Sequence, residues 1–324
     1  MPAVVLELSR LGLGDAMARR SDTSAAEWEE AVAEHGFAYM TTSPDEMLQQ
    51  LMIDVLAIQY AADGEPEESD RARDLRRCAA LLAALTAMTL ANLGQLREGR
   101  RWWRTAKDLA DKSGDPSTKA WVYGREIVRA LYESRPVGAI IRLVDSFEAS
   151  VPTAPQDAML EFMTGKAQSL ALAGRPDEAK ACLPELEKIC DKLPNSIIAD
   201  GDSIFGWSLD RLRFTQSYVY SFVGEYPKAA EAQAAAIRLY SPTYARGPAQ
   251  IELQRAICLA KVGDSAQAAL HAKTVVADLH PGDRIRPVVD LGYRVLAAIP
   301  PGDQNLPDVR DYREFLGFTE EIEA

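Results

Sequence analysis

The sequence predicts an all-α protein, an array of stacked antiparallel helix pairs, and three observations carry that reading. A small turn residue recurs at Gly94, Ser134, Gly174, Gly224 and Gly263, in steps of 40, 40, 50 and 39 residues. Five residues beyond each turn comes a second small residue (Gly99, Ala139, Ala179, Ala229 and Ala268), and seven before it stand Ala87, Ile127, Ala167, Ser217 and Ala256. Small residues flanking a short turn let two antiparallel helices approach closely. Third, the apolar–polar alternation of strands is almost absent. A pair of this length cannot bury its own apolar face, so copies stack into a solenoid; such arrays bind, and rarely catalyse.

Two helices precede the pairs. Ser24-Ala-Ala-Glu27 and Ser43-Pro44-Asp45-Glu46 both fit the capping box, the second with proline at the first helical position. The second helix then carries Leu48, Leu51, Met52, Val55 and Ile58 at helical spacing. An acidic loop over 64–70 leads into a long helix from about Ala72 to Asn92, which opens the first pair. Turn-rich segments at 113–116, 150–155, 241–248 and 281–283 separate the later pairs. The one step of 50 comes from extra residues between Leu193 and Asp210, among them Ile204-Phe205-Gly206-Trp207. Pro184 is expected to kink or restart its helix, because proline removes a ladder donor and clashes with the preceding turn. The pattern divides the chain into capping helices over 1–70, five pairs over 71–285, and terminal helices with a tail over 286–324, about fourteen helices in all.

Composition narrows the function. With 47% hydrophobic and 26% charged residues the chain is an ordinary folding sequence. No apolar run reaches the ~18 residues that cross a bilayer, so no membrane partner is expected. The start lacks the basic flank and long apolar centre of a secretory signal. Cys78, Cys182, Cys190 and Cys258 lie scattered without a Cys-x-x-Cys pair and read as buried, reduced thiols of a cytoplasmic protein. The formal charge of −12 makes the chain a poor nucleic-acid ligand. Arg97, Arg100, Arg101, Arg104 and Lys107 around Trp102 and Trp103 are the local exception, read as a solvated helix face with the tryptophans inward.

Catalytic signatures are missing. The three histidines, His35, His271 and His280, form no metal-binding or triad motif, and no phosphate-cradling glycine loop occurs. His280 reads as a dipole partner at a helix C-terminus, and the Glu67-Glu68 and Glu320-Glu321 pairs as solvated charge. The expectation is a non-enzyme with no cofactor and no bound metal.

The small residue, the turn and the apolar position nine beyond it (Trp103, Leu143, Leu183 and Ala272, with Gln233 departing) resemble tetratricopeptide repeats over about 73–280. The repeats exceed the usual length of about 34 residues, which places the extra residues in loops between pairs. A second resemblance rests on Trp-Glu-Glu-Ala-Val (28–32), Ala38-Tyr39-Met40-Thr41-Thr42-Ser43-Pro44, Arg101-Trp-Trp-Arg-Thr-Ala106, Ser113-Gly114-Asp115 and Trp121-Val-Tyr-Gly-Arg-Glu126. These strings are similar to the tetratricopeptide sensor regions of actinobacterial regulators that carry an N-terminal helix-turn-helix of the xenobiotic-response-element type. The departure is that only about 20 residues precede the first sensor helix, too few for a DNA-binding domain. The resemblance implies a right-handed superhelix and recognition of a signal or protein.

In tetratricopeptide proteins the first helix of each pair lines the concave face. Projected here, that gives Met88 and Asn92; Trp121, Val128 and Tyr132; Glu161 and Gln168; Arg211, Phe214 and Tyr218; Gln250, Ile257 and Lys261, with Arg125 and Gln254 beside them. Trp121, Arg125, Tyr132, Gln168, Arg211, Tyr218, Gln254 and Trp207 form the candidate ligand site. Amides would pair a peptide backbone, aromatics hold its side chains and arginine clamp a carboxylate. For Trp121 and Arg211, groove lining and plain packing or ion pairing stay open. Phe205 and Trp207 have two readings too: capping the groove, or docking on its edge. The expected partner is a peptide or protein, with a small metabolite as the variant if the 205–207 loop closes the groove into a pocket. A homodimer stays open. The leading function is the sensor part of, or a descendant of, a transcriptional regulator; the alternative is a stand-alone adaptor that holds a precursor peptide or an enzyme in a biosynthetic pathway.

Overall fold

The computed structural model describes residues 24–151, 155, 157–193, 203–241 and 244–323, with side chains as far as 317. Several sequence expectations fall outside them: the start of the chain, 152–154, 194–202 of the long insertion, Pro242, and the side chains of Glu320 and Glu321. Among the described residues there are fourteen α-helices, three short 3-10 turns and no strand.

The N-terminal pair is α1 (Ala25–Thr41) and α2 (Pro44–Ala62). Five further pairs follow: α3 (Asp70–Asn92) with α4 (Leu96–Ser113), α5 (Pro116–Ala130) with α6 (Val137–Ser150), α7 (Leu160–Leu172) with α8 (Pro176–Cys190), α9 (Leu209–Val223) with α10 (Tyr226–Leu239), and α11 (Arg246–Lys261) with α12 (Ser265–Ala277). The chain ends with α13 (Arg286–Ala298) and α14 (Pro307–Glu323).

Local chemistry sets the boundaries. The first capping box forms in full: Glu27 N–H donates to Ser24 Oγ (3.3 Å) and Ser24 N–H to the Glu27 carboxylate (2.6 Å). Only the serine half of the second box forms, with Glu46 N–H donating to Ser43 Oγ at 3.4 Å. Asp115 caps α5 through Thr118 N–H (2.8 Å), and Pro116 occupies the first helical position.

All five repeating turn residues have positive φ, from 52° at Ser134 to 93° at Gly263. At the four glycines the following N–H bonds back to the last helical turn: Gln95 to Leu90, Arg175 to Leu170, Glu225 to Tyr220 and Asp264 to Leu259, at 2.9–3.0 Å. The second pair departs by one residue. Helix α5 stops at Ala130, four turn residues follow, and the buried positions become Ile140 and Val144 rather than the expected Ala139 and Leu143. Serine lacks glycine's freedom at positive φ, and this turn is built differently. Elsewhere the register holds, with Ala179, Ala229 and Ala268 fully buried. Gly99 faces Ala87 so closely that a Cβ would lie 2.9 Å from the Ala87 carbonyl oxygen.

Two expectations are corrected. Helix α8 is not restarted at Pro184, which lies on its exposed side, where water can serve the carbonyl of Lys180 that loses its donor. His280 acts as an N-cap rather than a dipole partner: its Nδ1 accepts from Gly282 N–H (3.2 Å) and starts a 3-10 turn. The other two histidines pair with carboxylates, His35 with Asp54 (2.6 Å) and His271 with Glu252 (2.8 Å). Trp103 is fully buried under the exposed Arg97, Arg100, Arg101 and Arg104, whereas Trp102 is half-buried. All four cysteines are free.

The first helices form a continuous row in which α5 packs on α7, α7 on α9, α9 on α11 and α11 on α13. Glycines set the closest approach: a Cβ on Gly124 of α5 would lie 2.7 Å from Phe162 N, and one on Gly165 of α7 would lie 2.7 Å from Ile127 Cγ2. The row then closes on itself. Arg246 at the head of α11 donates to the carbonyls of Tyr39 (3.3 Å) and Thr42 (3.1 Å) at the end of α1. Arg286 of α13 donates to Ser134 Oγ (2.7 Å), and Arg294 to the Leu131 carbonyl. Among the described residues no helix is long and apolar enough to cross a membrane.

Candidate functional site

The row borders a half-open cavity, the chamber, with room for about 140 Å³. Its walls come from the end of α1 (Tyr39, Met40), from α5 and the residues just after it (Arg125, Val128, Arg129, Tyr132), and from α7 (Glu161, Thr164, Gln168). Helix α9 adds Arg211 and Phe214, and α11 adds Arg246 and Gln250. Tyr240 and Tyr244 stand side by side at the boundary, ring centroids 5.8 Å apart. Gly247 makes room for them, since a Cβ there would meet the Tyr240 ring at 2.5 Å.

Residues 203–207, the described end of the long inter-repeat insertion, supply another wall. Ile204 N–H donates to the Gly36 carbonyl of α1 (2.9 Å), and Phe205 fills the space over Gly36, its ring 4.8 Å from that of Trp121. Trp207 is buried and borders the chamber. Thus Phe205 docks into the core and Trp207 faces the site. This segment lies between α1 and α9.

Charge in the chamber is organised around Glu161, which is 3% exposed. One carboxylate oxygen accepts from Arg125 Nη1 (2.9 Å) and the other from Arg211 Nη1 (3.0 Å). Arg211 is otherwise committed to the insertion, donating to the carbonyls of Ile204 (3.1 Å) and Ser203 (2.9 Å). Burial pulls its guanidinium below the ordinary value; Glu161 opposes that and the neighbouring Arg125 adds to it. Arg125 has spare capacity: its Nε is buried with no hydrogen-bond partner.

Other polar atoms here also lack partners: Arg129 Nε, Tyr132 OH, Thr164 Oγ1, and both ends of the Gln168 amide. Tyr132, Thr164 and Gln168 are all buried, Gln168 at 1% exposure. Buried polar groups are nearly always hydrogen-bonded; six of the unpartnered atoms belong to residues of this chamber, and others lie elsewhere in the fold, on Trp28, Trp103, Tyr218 and Gln254 among them. Burial pushes the Tyr132 phenol well above its ordinary range, so it stays a neutral hydroxyl.

Of the eight candidate residues, Arg125, Tyr132, Gln168, Arg211 and Trp207 border the chamber. Trp121 does not; it packs on Phe205. Tyr218 and Gln254 are fully buried beside it. The Tyr218 ring stacks on Phe222 (4.4 Å) and meets Tyr132 edge-on (6.3 Å), while Gln254 accepts from Ser217 Oγ. Among the other projected positions Val128, Glu161, Phe214 and Gln250 line the chamber. Lys261 instead donates to the carbonyls of Ser221 (3.3 Å) and Phe222 (2.8 Å) at the end of α9. Sequence reasoning missed Thr164 and Arg129, which extending the helical stripes 161–164–168 and 125–129–132 would have found. It also missed Tyr39, Tyr244 and Arg246, which only the closure of the row brings in.

A larger concavity of about 830 Å³ lies between α2, α3 and α4, walled by Val55, Ile58, Leu75, Ala79, Trp102 and Leu109. None of its lining atoms is an unpartnered buried polar group. Among the described residues no cluster of histidine, cysteine and carboxylate side chains is arranged to hold a metal. No protein-family model, curated protein or solved structure matches the chain.

Proposed function

We propose that this chain is a non-catalytic sensor module that holds a small polar molecule in the central chamber, as part of, or descended from, a transcriptional regulator. In this reading the five pairs are a tetratricopeptide-like, right-handed superhelical solenoid whose concave side has been closed. The carrying observation is the set of buried, unpartnered polar atoms on Tyr132, Thr164 and Gln168 around one chamber. Size supports a small ligand over a peptide: about 140 Å³ compares with roughly 150 Å³ in an engineered cavity that takes benzene.

Binding without transformation is supported by the lining. It holds no histidine, cysteine or lysine, and both oxygens of Glu161 are already engaged. No nucleophile–base pair faces the space. The regulatory setting rests on the resemblance of the motif strings at 28–32, 38–44, 101–106 and 121–126, and the charge of −12 puts DNA contact elsewhere than on this chain.

The test is a thermal-shift screen of the full chain against a small-metabolite library and a random-peptide library. Metabolites that raise the melting temperature of the parent chain and not that of Tyr132→Phe are expected. Stabilisation by peptides alone, unaffected by Tyr132→Phe, overturns the reading.

A further inference from the structure

The unpartnered atoms also specify ligand chemistry, an inference that rests on the small-molecule reading above. Arg125 Nε and Arg129 Nε can only donate, so they require acceptors. The Gln168 amide, unpaired at both ends, requires one acceptor and one donor, and flipping the amide leaves the same requirement. The hydroxyls of Tyr132 and Thr164 serve in either role.

The arginines of the lining differ in how far their donors are used. The lining contains four arginines (Arg125, Arg129, Arg211 and Arg246) and two carboxylates (Glu161 and Asp210), while Glu133 and Asp283 just outside it pair with Arg129 and Arg246. Arg211 is spent on Glu161 and the insertion, and Arg246 on Asp283 (2.8 Å) and main-chain carbonyls. Arg129 donates to Asn92 (2.8 Å) and stands 3.9 Å from Glu133, so Arg125 and Arg129 both keep an unpartnered Nε, and Arg125, bonded to Glu161 alone, has the most donors to spare. The shape is set by aromatic walls: Tyr39, Tyr132, Trp207, Phe214, Tyr240 and Tyr244 all border the space. An aromatic lining favours an aromatic body.

We infer that the chamber takes a small planar carboxylate carrying a hydrogen-bond donor, of the hydroxy-aromatic acid class, with its carboxylate at Arg125 and its donor at Gln168. A carboxylate there makes charge-assisted bonds with the guanidinium, roughly twice as strong as neutral ones.

Isothermal titration of the full chain with four probes tests this: 4-hydroxybenzoate, its neutral analogue 4-hydroxybenzamide, benzoate without the donor, and cationic 4-hydroxybenzylamine. The acid is expected to bind at least tenfold more tightly than the amide and than benzoate, and the amine not at all. Arg125→Gln and Gln168→Met should each weaken the acid at least tenfold, while Arg175→Gln, an equal charge change on the surface, should leave it unaltered. Circular dichroism of each variant separates lost affinity from lost fold, and Gln168→Met gives up no protein hydrogen bond. Equal binding of amide or amine, or indifference to both chamber variants, overturns the anionic assignment and leaves the small-molecule reading standing. Failure of all four probes overturns the hydroxy-aromatic class, whereas the library screen decides whether anything small binds.

Discussion

Gly124 of α5 lies against the backbone of Phe162 in α7, so near that a Cβ would be 2.7 Å from its nitrogen. That approach puts Arg125 beside Glu161, the neighbouring residue of each pair, and so builds the charged centre of the chamber. Because the obstructing atoms are main chain, Gly124→Ala must push the two helices apart. A loss of about 1–3 kcal/mol is expected from overpacking, measured by urea denaturation. An unchanged midpoint would show that the two repeats are not in this contact.

Tyr132→Phe and Gln168→Met make the opposite demand. Each removes buried polar atoms that have no protein partner and keeps the volume nearly constant. Leaving such a group unpaired costs roughly 1–3 kcal/mol, so the free variants should be as stable as the parent or up to about 1 kcal/mol more so. Ligand binding should fall at the same time. Destabilisation of both variants would place these groups in ordinary core roles.

The pair grammar was legible because it is local. The positive φ at Gly94, Gly174, Gly224 and Gly263 and the burial of the alanines five residues beyond the last three follow from spacing alone. Ser134 shows the limit: an equal step in sequence hid a one-residue slip in α6, since a serine turn is not closed as a glycine turn is. For the site, helical stripes located Arg125, Tyr132, Gln168 and Arg211. They could not locate Tyr39 or Arg246, which meet across about two hundred residues of chain, nor say that Arg211 would be consumed by the carbonyls of Ser203 and Ile204.

Alkaline pH should weaken the fold through its buried thiols. Burial pushes Cys78 up to about 11 and Cys190 up to about 12, against about 8.5 for an unfolded thiol. Folded-state values raised in this way mean that stability is fully present below about pH 8.5 and is lost as the pH climbs towards 11, because only the unfolded chain releases the proton. Each thiol contributes at most about 1.4 kcal/mol per pH unit in that window. Urea titrations at several alkaline pH values should show this slope, shallower in Cys78→Ala. Identical slopes for parent and variant would count against a protonated, buried Cys78.

Arg211 holds the insertion to the array, and its removal should show there first. Its Nη1 bonds Glu161 and the Ile204 carbonyl, and its Nη2 bonds the Ser203 carbonyl. Arg211→Ala leaves those two carbonyls without their donor and Glu161 with Arg125 alone. A cost of about 3 kcal/mol is expected, the lower end for breaking a buried pair because one partner remains. Local opening should accompany it: the Ile204 amide, held on the Gly36 carbonyl at 2.9 Å, should exchange its hydrogen faster by more than the global loss of stability explains. Arg211→Lys should recover little, since one ammonium cannot reproduce a fork that serves a carboxylate and two carbonyls. Ligand affinity falls in both variants as a consequence of the displaced wall. The discriminating outcome is an Arg211→Ala protein with normal melting and normal Ile204 exchange that has nevertheless lost binding, which would make Arg211 a direct ligand contact and free the insertion from it.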